Sequence, residues 1–113
     1  PSAALIDYAA TKAAMIATAK ALATKYGADN VLVNSVIPGL IRTDMWERAA
    51  GELAAANDTD PEAIFERNSR GVPVGRYGTS EEIANGVVFL CTDAASYING
   101  TCLTIDGGSA SHV

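Results

Sequence analysis

Apolar residues recur along the first quarter of the chain at a spacing near 3.6, with Met15, Ile16, Ala19, Leu22 and Ala23 on adjoining positions and alanines between them. The period predicts a helix over Tyr8–Tyr26, with Asp7 as its cap and Gly27 at its end. Side chains this small let a sheet or a second helix approach closely. The pattern then changes. Val31–Ile37 (VLVNSVI) is almost continuously apolar, which suits a strand covered on both faces better than a half-exposed hairpin. Pro38 has no N–H for a ladder and Gly39 lets the backbone turn, so the strand should end there.

Residues 44–78 keep neither period. They read as a polar, irregular excursion with two short helical pieces. The first carries Met45, Trp46, Ala49, Ala50 and Leu53 along one side. The second opens at Asp60-Pro61, a cap followed by proline at the first helical position. Regularity returns at Thr79–Glu82 (TSEE), a capping-box pattern ahead of Ile83, Val87, Val88, Leu90 and Cys91. After a turn at Asn99-Gly100, Thr101–Ile105 (TCLTI) is a second strand, closed by Asp106-Gly107-Gly108. A strand, a covering helix and a second strand form a right-handed crossover, so the two strands should be parallel. Val31–Ile37 also needs a neighbour on its other edge, which nothing in the chain supplies. The expected fold is therefore α/β, the C-terminal part of a doubly wound parallel sheet.

Composition narrows the classes. A chain of 113 residues is one domain at most, and 49% hydrophobic with 19% charged residues is ordinary globular material. No apolar run approaches the ~20 residues of a membrane span and no leader opens the chain, so a soluble, cytoplasmic protein is expected. A net charge of −5 without a basic cluster argues against nucleic acid or an anionic membrane as partner. Cys91 and Cys102 lack metal-ligand spacing and His112 is the only histidine, so no metal site is expected. The cysteines read as small buried apolar residues. Pro1 in place of methionine suggests a fragment, a trimmed chain or processing.

Tyr8 and Lys12 stand out within DYAATKAA. Four residues turn a helix by about 400°, so both project from nearly the same face. A free phenol ionises near pH 10 and is a poor base at neutrality. An ammonium about 5 Å away, at an effective dielectric near 20, favours the phenolate by about 3 kcal/mol. Position in the first helical turn adds a smaller push of the same sign. Such a pair suits proton exchange with an alcohol oxygen, which is half of a carbonyl reduction. The hydride must come from a cofactor. By itself the spacing also fits a surface pair snorkelling on an amphipathic helix.

Three motifs in order resolve that ambiguity. YAATKAA (Tyr8–Ala14), VNSVIPGLIRTDM (Val33–Met45) and the run from Pro73 to Gly108 together resemble the short-chain dehydrogenase/reductase family, in its classical type typified by 3-oxoacyl-acyl-carrier-protein reductases. The resemblance covers the chain apart from the excursion. It implies an NAD(P)-binding Rossmann fold, of which residues 1–113 are the C-terminal portion of one domain. The active-site helix would span 8–26, a substrate lid about 44–78, and the final helix and strand 79–108. Tyr8 would be the catalytic acid/base. Lys12 would tune it and hydrogen-bond the nicotinamide ribose. The pattern Pro-Gly-x-x-x-Thr falls on Pro38, Gly39 and Thr43 in the cofactor loop. There Ile41 would offer backbone contacts to the carboxamide, and the Thr43 hydroxyl would reach the carboxamide or the pyrophosphate.

Other family parts have no counterpart in these residues: the glycine-rich phosphate loop, the residue that selects NAD or NADP, the catalytic asparagine and the catalytic serine. Ser2 is too near Tyr8 to match that serine and reads as a loop residue. The chain alone is therefore expected to be inactive. Met45 and Trp46 would form an apolar wall that closes over the substrate on cofactor binding, although Trp46 could equally pack a short helix onto the body. Arg42 could meet a cofactor phosphate, but exposure or a neighbouring acid is the simpler expectation. Glu81 and Glu82 read as helix-start residues, and Asp106-Gly107-Gly108 as a structural turn. The alanine-rich faces of the first helix and last strand resemble family surfaces that pack homodimers and homotetramers; burial within the monomer would explain them as well.

The function expected is hydride transfer between NAD or NADP and a small-molecule alcohol or carbonyl. The alternatives are a non-catalytic nucleotide-binding or scaffold protein on the same fold, and a small independent helical interaction domain.

Overall fold

The computed structural model describes residues 5–110; Pro1, Ser2 and His112 lie outside them. The chain divides into two compact units. The first takes the chain up to Val36 together with Val88–Leu103, and the second takes Ile37–Val87 and the chain from Thr104.

The first unit is organised by α1 (Ile6–Tyr26). The helix starts two residues earlier than the pattern predicts, so Asp7 lies inside the first turn and Leu5 takes the cap position without a side-chain bond. Gly27 does not form a left-handed end either. It continues into a tight 3-10 turn, Gly27–Asp29, and Asn30 takes the left-handed conformation at φ 59°, its N–H donating to Gly27 C=O.

Two asparagines then replace the start of the expected strand. Val33 N–H donates to Asn99 Oδ1 at 2.9 Å, while Asn99 Nδ2 donates to Ala23 C=O at 3.0 Å. Asn34 Nδ2 donates to Ile98 C=O at 2.9 Å and its Oδ1 accepts from Thr101 N–H at 3.0 Å. Side-chain amides use the groups that a ladder would need, so β1 covers only Ser35–Pro38.

β1 pairs with β2 (Cys102–Ile105). Ser35 N–H donates to Thr101 C=O and Gly39 N–H to Ile105 C=O, both at 2.9 Å. The bonds advance the same way along both strands, so the pair is parallel, as expected. Burial alternates along β2, with Leu103 and Ile105 on the covered face and Cys102 on the open one. Both cysteines are free and exposed, against the expectation of burial. Cys102 falls on the wrong parity, and Cys91 lies just past the last turn of α4 (Ser80–Leu90), the helix that follows the excursion.

The excursion is more ordered than its composition implies. α2 (Asp44–Ala56) is capped by Thr43, whose hydroxyl accepts from Trp46 N–H at 3.5 Å. α3 (Pro61–Ser69) opens as predicted, with Asp60 accepting from Glu62 N–H at 2.8 Å and proline in the first turn. Ala50 and Ala54 of α2 bury against Ile64 and Phe65 of α3 and against Tyr77, the main core of the second unit. Phe65 meets Tyr77 edge to face at 5.0 Å. Met45 does not join that core and is exposed.

α4 begins with the predicted capping box. Thr79 N–H donates to the Glu82 carboxylate at 2.8 Å and Glu82 N–H donates back to the Thr79 hydroxyl at 3.2 Å. Arg76 completes the arrangement, pairing with Glu82 at 2.7 Å. Its guanidinium and the Thr79 N–H hold the Glu82 carboxyl down to about 2. No helix among the described residues is long and apolar enough to cross a membrane.

Candidate active site

In the first unit, Tyr8 and Lys12 lie one turn apart near the start of α1, and the Lys12 Nζ sits 5.3 Å from the centroid of the Tyr8 ring. The side chains converge, as their spacing predicts. Tyr8 is 58% exposed. In surroundings so open to water, the attraction between two unit charges a few ångströms apart falls to about 1 kcal/mol or less. The larger figure belongs to a covered pair.

In the second unit, Pro38, Gly39, Ile41 and Thr43 follow one another from the end of β1 to the cap of α2. A Cβ on Gly39 would lie 2.6 Å from the Cα of Asp106, so glycine is required there by the approach of two backbone segments. The Asp106 carboxylate organises its own turn, accepting from Ala110 N–H at 2.7 Å and Gly108 N–H at 2.9 Å, bonds that lower its pKa. This is the structural role expected of Asp106-Gly107-Gly108.

Ile41 forms a parallel bridge with Gly78. Gly78 N–H donates to Leu40 C=O and Arg42 N–H donates to Gly78 C=O, both at 2.9 Å. In that pattern Ile41's own N–H and C=O face away from Gly78, and among the described residues neither makes a backbone bond. One donor and one acceptor side by side have the complementarity of a primary carboxamide.

Trp46 lies on α2 with its ring 6.4 Å from that of Tyr77, edge to face. It lines a cleft of about 240 Å³ with Leu53, Ile64, Phe65 and Tyr77. Trp46 thus packs beside the core that α2 and α3 share and also presents apolar surface. Arg42 meets acids, as expected. Its guanidinium donates to Glu62 at 2.9 Å and to Glu47, and both carboxylates, Glu62 foremost, raise its pKa.

The model of the family described as enoyl-(acyl carrier protein) reductase matches residues 2–110. The chain belongs to the short-chain dehydrogenase/reductase family. It is 40% identical to the 3-oxoacyl-acyl-carrier-protein reductase FabG of Aquifex aeolicus over 103 residues, which are 91% of this chain and 37% of that protein. A 3alpha-hydroxysteroid dehydrogenase of Mediterraneibacter gnavus is 41% identical over 92% of this chain and 37% of its own length. Among solved structures, L-sorbose reductase from Gluconobacter frateurii, in complex with NADPH and L-sorbose, superposes with a TM-score of 0.90 at 37% identity, covering 94% of this chain and 41% of that one. The NADPH-dependent reductase YwfH, involved in bacilysin biosynthesis, gives 0.87 at 29% identity, over all of this chain and 43% of that one. The fold is thus the expected Rossmann type, and the chain spans less than two fifths of the length of these curated relatives.

Sequence reasoning did not anticipate the aromatic pair Phe65–Tyr77 or the bidentate Arg42–Glu62 contact. The signal for the second was weak: an arginine with one acid five residues on and another twenty on.

Proposed function

We propose that these residues carry the proton-handling and nicotinamide-side parts of an NAD(P)-dependent oxidoreductase that interconverts an alcohol and a ketone or aldehyde. The observation behind this reading is the Tyr8–Lys12 pair, an ammonium held 5.3 Å from the centroid of a phenol ring. A bound NAD or NADP supplies or accepts the hydride, which no side chain can do. The Tyr8 oxygen gives its proton to the substrate oxygen during reduction and recovers it during oxidation. Lys12 offsets the charge left on that oxygen, more strongly once water is excluded around the pair. Its ammonium also has donors to spare for ribose hydroxyls. Ile41 N–H and C=O orient the carboxamide, with the Thr43 hydroxyl beside them and Pro38-Gly39 setting the turn. Met45 and Trp46 form an apolar wall for the substrate. The exposed Met15 and Leu22 on α1 suit packing in a homodimer or homotetramer.

The names of the relatives support carbonyl chemistry. The test uses protein made from the complete reading frame that contains these residues, assayed with NADH and NADPH against ketones and alcohols. Tyr8→Phe is expected to lower kcat about 100-fold or more, with the dinucleotide still bound. Lys12→Ala should lower kcat and also raise KM for the dinucleotide. A Tyr8→Phe protein as fast as the parent would remove Tyr8 from its role.

A further inference from the structure

We propose that Arg42 is a positioning residue, a clasp whose single guanidinium holds both lid helices to the loop that carries Ile41 and Thr43. Its effect on turnover rests on the oxidoreductase reading; its effect on the lid rests on geometry alone. The backbone of Arg42 is fixed first, its N–H donating to Gly78 C=O at 2.9 Å. The side chain then uses each of its recognition surfaces on the lid. Nη1 and Nη2 donate to the two Glu62 oxygens at 3.1 and 2.9 Å, in the first turn of α3. Nε donates to Glu47, in the first turn of α2. The guanidinium carbon lies 4.2 Å from the centroid of Phe65, a buried member of the core that the two helices share.

Only arginine combines a planar fork, a separate Nε donor and a stacking face; lysine offers a point charge. The pairs are largely exposed, so each contributes little to stability. What they set is geometry. Ile41 and Thr43 flank the clasp, and Met45 and Trp46 follow within one turn of α2, so loop and lid are held in one arrangement.

Trp46 is the only tryptophan in the chain, and its emission reads the position of α2 without turnover. With the clasp intact, emission should move to longer wavelength as NaCl is raised toward about 1 M, because exposed ion pairs are screened. Arg42→Met should start from the shifted spectrum and show no further response. Arg42→Lys should resemble Arg42→Met, and so should the double variant Glu47→Gln/Glu62→Gln, which keeps the arginine.

In the complete enzyme, Arg42→Lys should raise KM for the carbonyl substrate about threefold to tenfold, leave kcat within about twofold and remove the salt dependence of KM. A merely structural role would lower the melting temperature without moving that dependence. Identical emission and salt response in the parent and Arg42→Met would overturn the clasp, as would an Arg42→Lys protein indistinguishable from the parent in both readouts. Absence of turnover in every protein would instead overturn the oxidoreductase reading, with the fluorescence still deciding the clasp.

Discussion

Helix α1 runs for 21 residues and buries only Ala23 among those described, whereas α2 and α3, of 13 and 9 residues, bury Ala50, Ala54, Ile64, Phe65 and Ser69. The difference follows from how each segment meets its neighbours. α1 is held at its C-terminal end by Asn99 and by Lys20, whose Nζ donates to Gly100 C=O at 3.3 Å. Its N-terminal turns, which carry Tyr8 and Lys12, are open. α2 and α3 close on each other through a shared core and the Arg42 network. The N-terminal turns of α1 thus stand open to water, while α2 and α3 already contain their own support.

The largest expected effect tests that support. Phe65 is buried beneath Arg42 and against Tyr77, so Phe65→Ala removes core volume that the short helices cannot easily refill. A loss of about 3–5 kcal/mol in urea unfolding is expected. A loss below about 1 kcal/mol would mean that α2 and α3 collapse around the gap and do not depend on this core.

The same contrast explains what could be read from residue order. Local signals were legible. Thr79 with Glu82 and Asp60 with Pro61 mark helix starts through contacts within a single turn, and both form as predicted. Tyr8 and Lys12 were legible because four residues suffice to bring them together. Asp7 misled because an acid in a first turn and an acid at a cap look alike until backbone angles are known. Val31–Asn34 misled because their strand-like apolarity is overruled by two side-chain amides, Asn34's own and that of Asn99, which tie the segment to the distant Ile98–Thr101 turn. The core of the second unit was hidden for a related reason: Ala50, Phe65 and Tyr77 share no period, and only tertiary packing collects them. For the cysteines, composition indicated burial, while strand parity and a helix end decided otherwise.

A smaller effect concerns the start of α4. Arg76 and the Thr79 N–H hold the folded-state pKa of Glu82 at about 2, below the ordinary 4.5. A carboxyl depressed on folding contributes stability that is present above the unfolded value and is lost as pH falls through the folded one. Melting temperature should therefore decline between about pH 4.5 and 2, with Glu82→Gln flattening that decline. Because the pair is exposed, high salt should reduce the difference. A Gln variant with an unchanged acid limb would assign the pH dependence to other carboxylates.

The smallest effect is the sharpest test of the contrast. Met15 is 57% exposed on α1, at the rim of an apolar groove formed with Leu22 and Val33. For the 113-residue chain, Met15→Ser should change stability by no more than about 0.5 kcal/mol, as at other open surface positions. The same substitution in protein from the complete reading frame separates two accounts of that groove. A large loss that is independent of protein concentration would mean that more of the same fold covers it. A loss that grows on dilution would mean that a second copy does, since subunit association makes apparent stability depend on concentration. If the 113-residue chain itself lost several kcal/mol, α1 would already be buried, and the difference between α1 and the α2–α3 pair would fail.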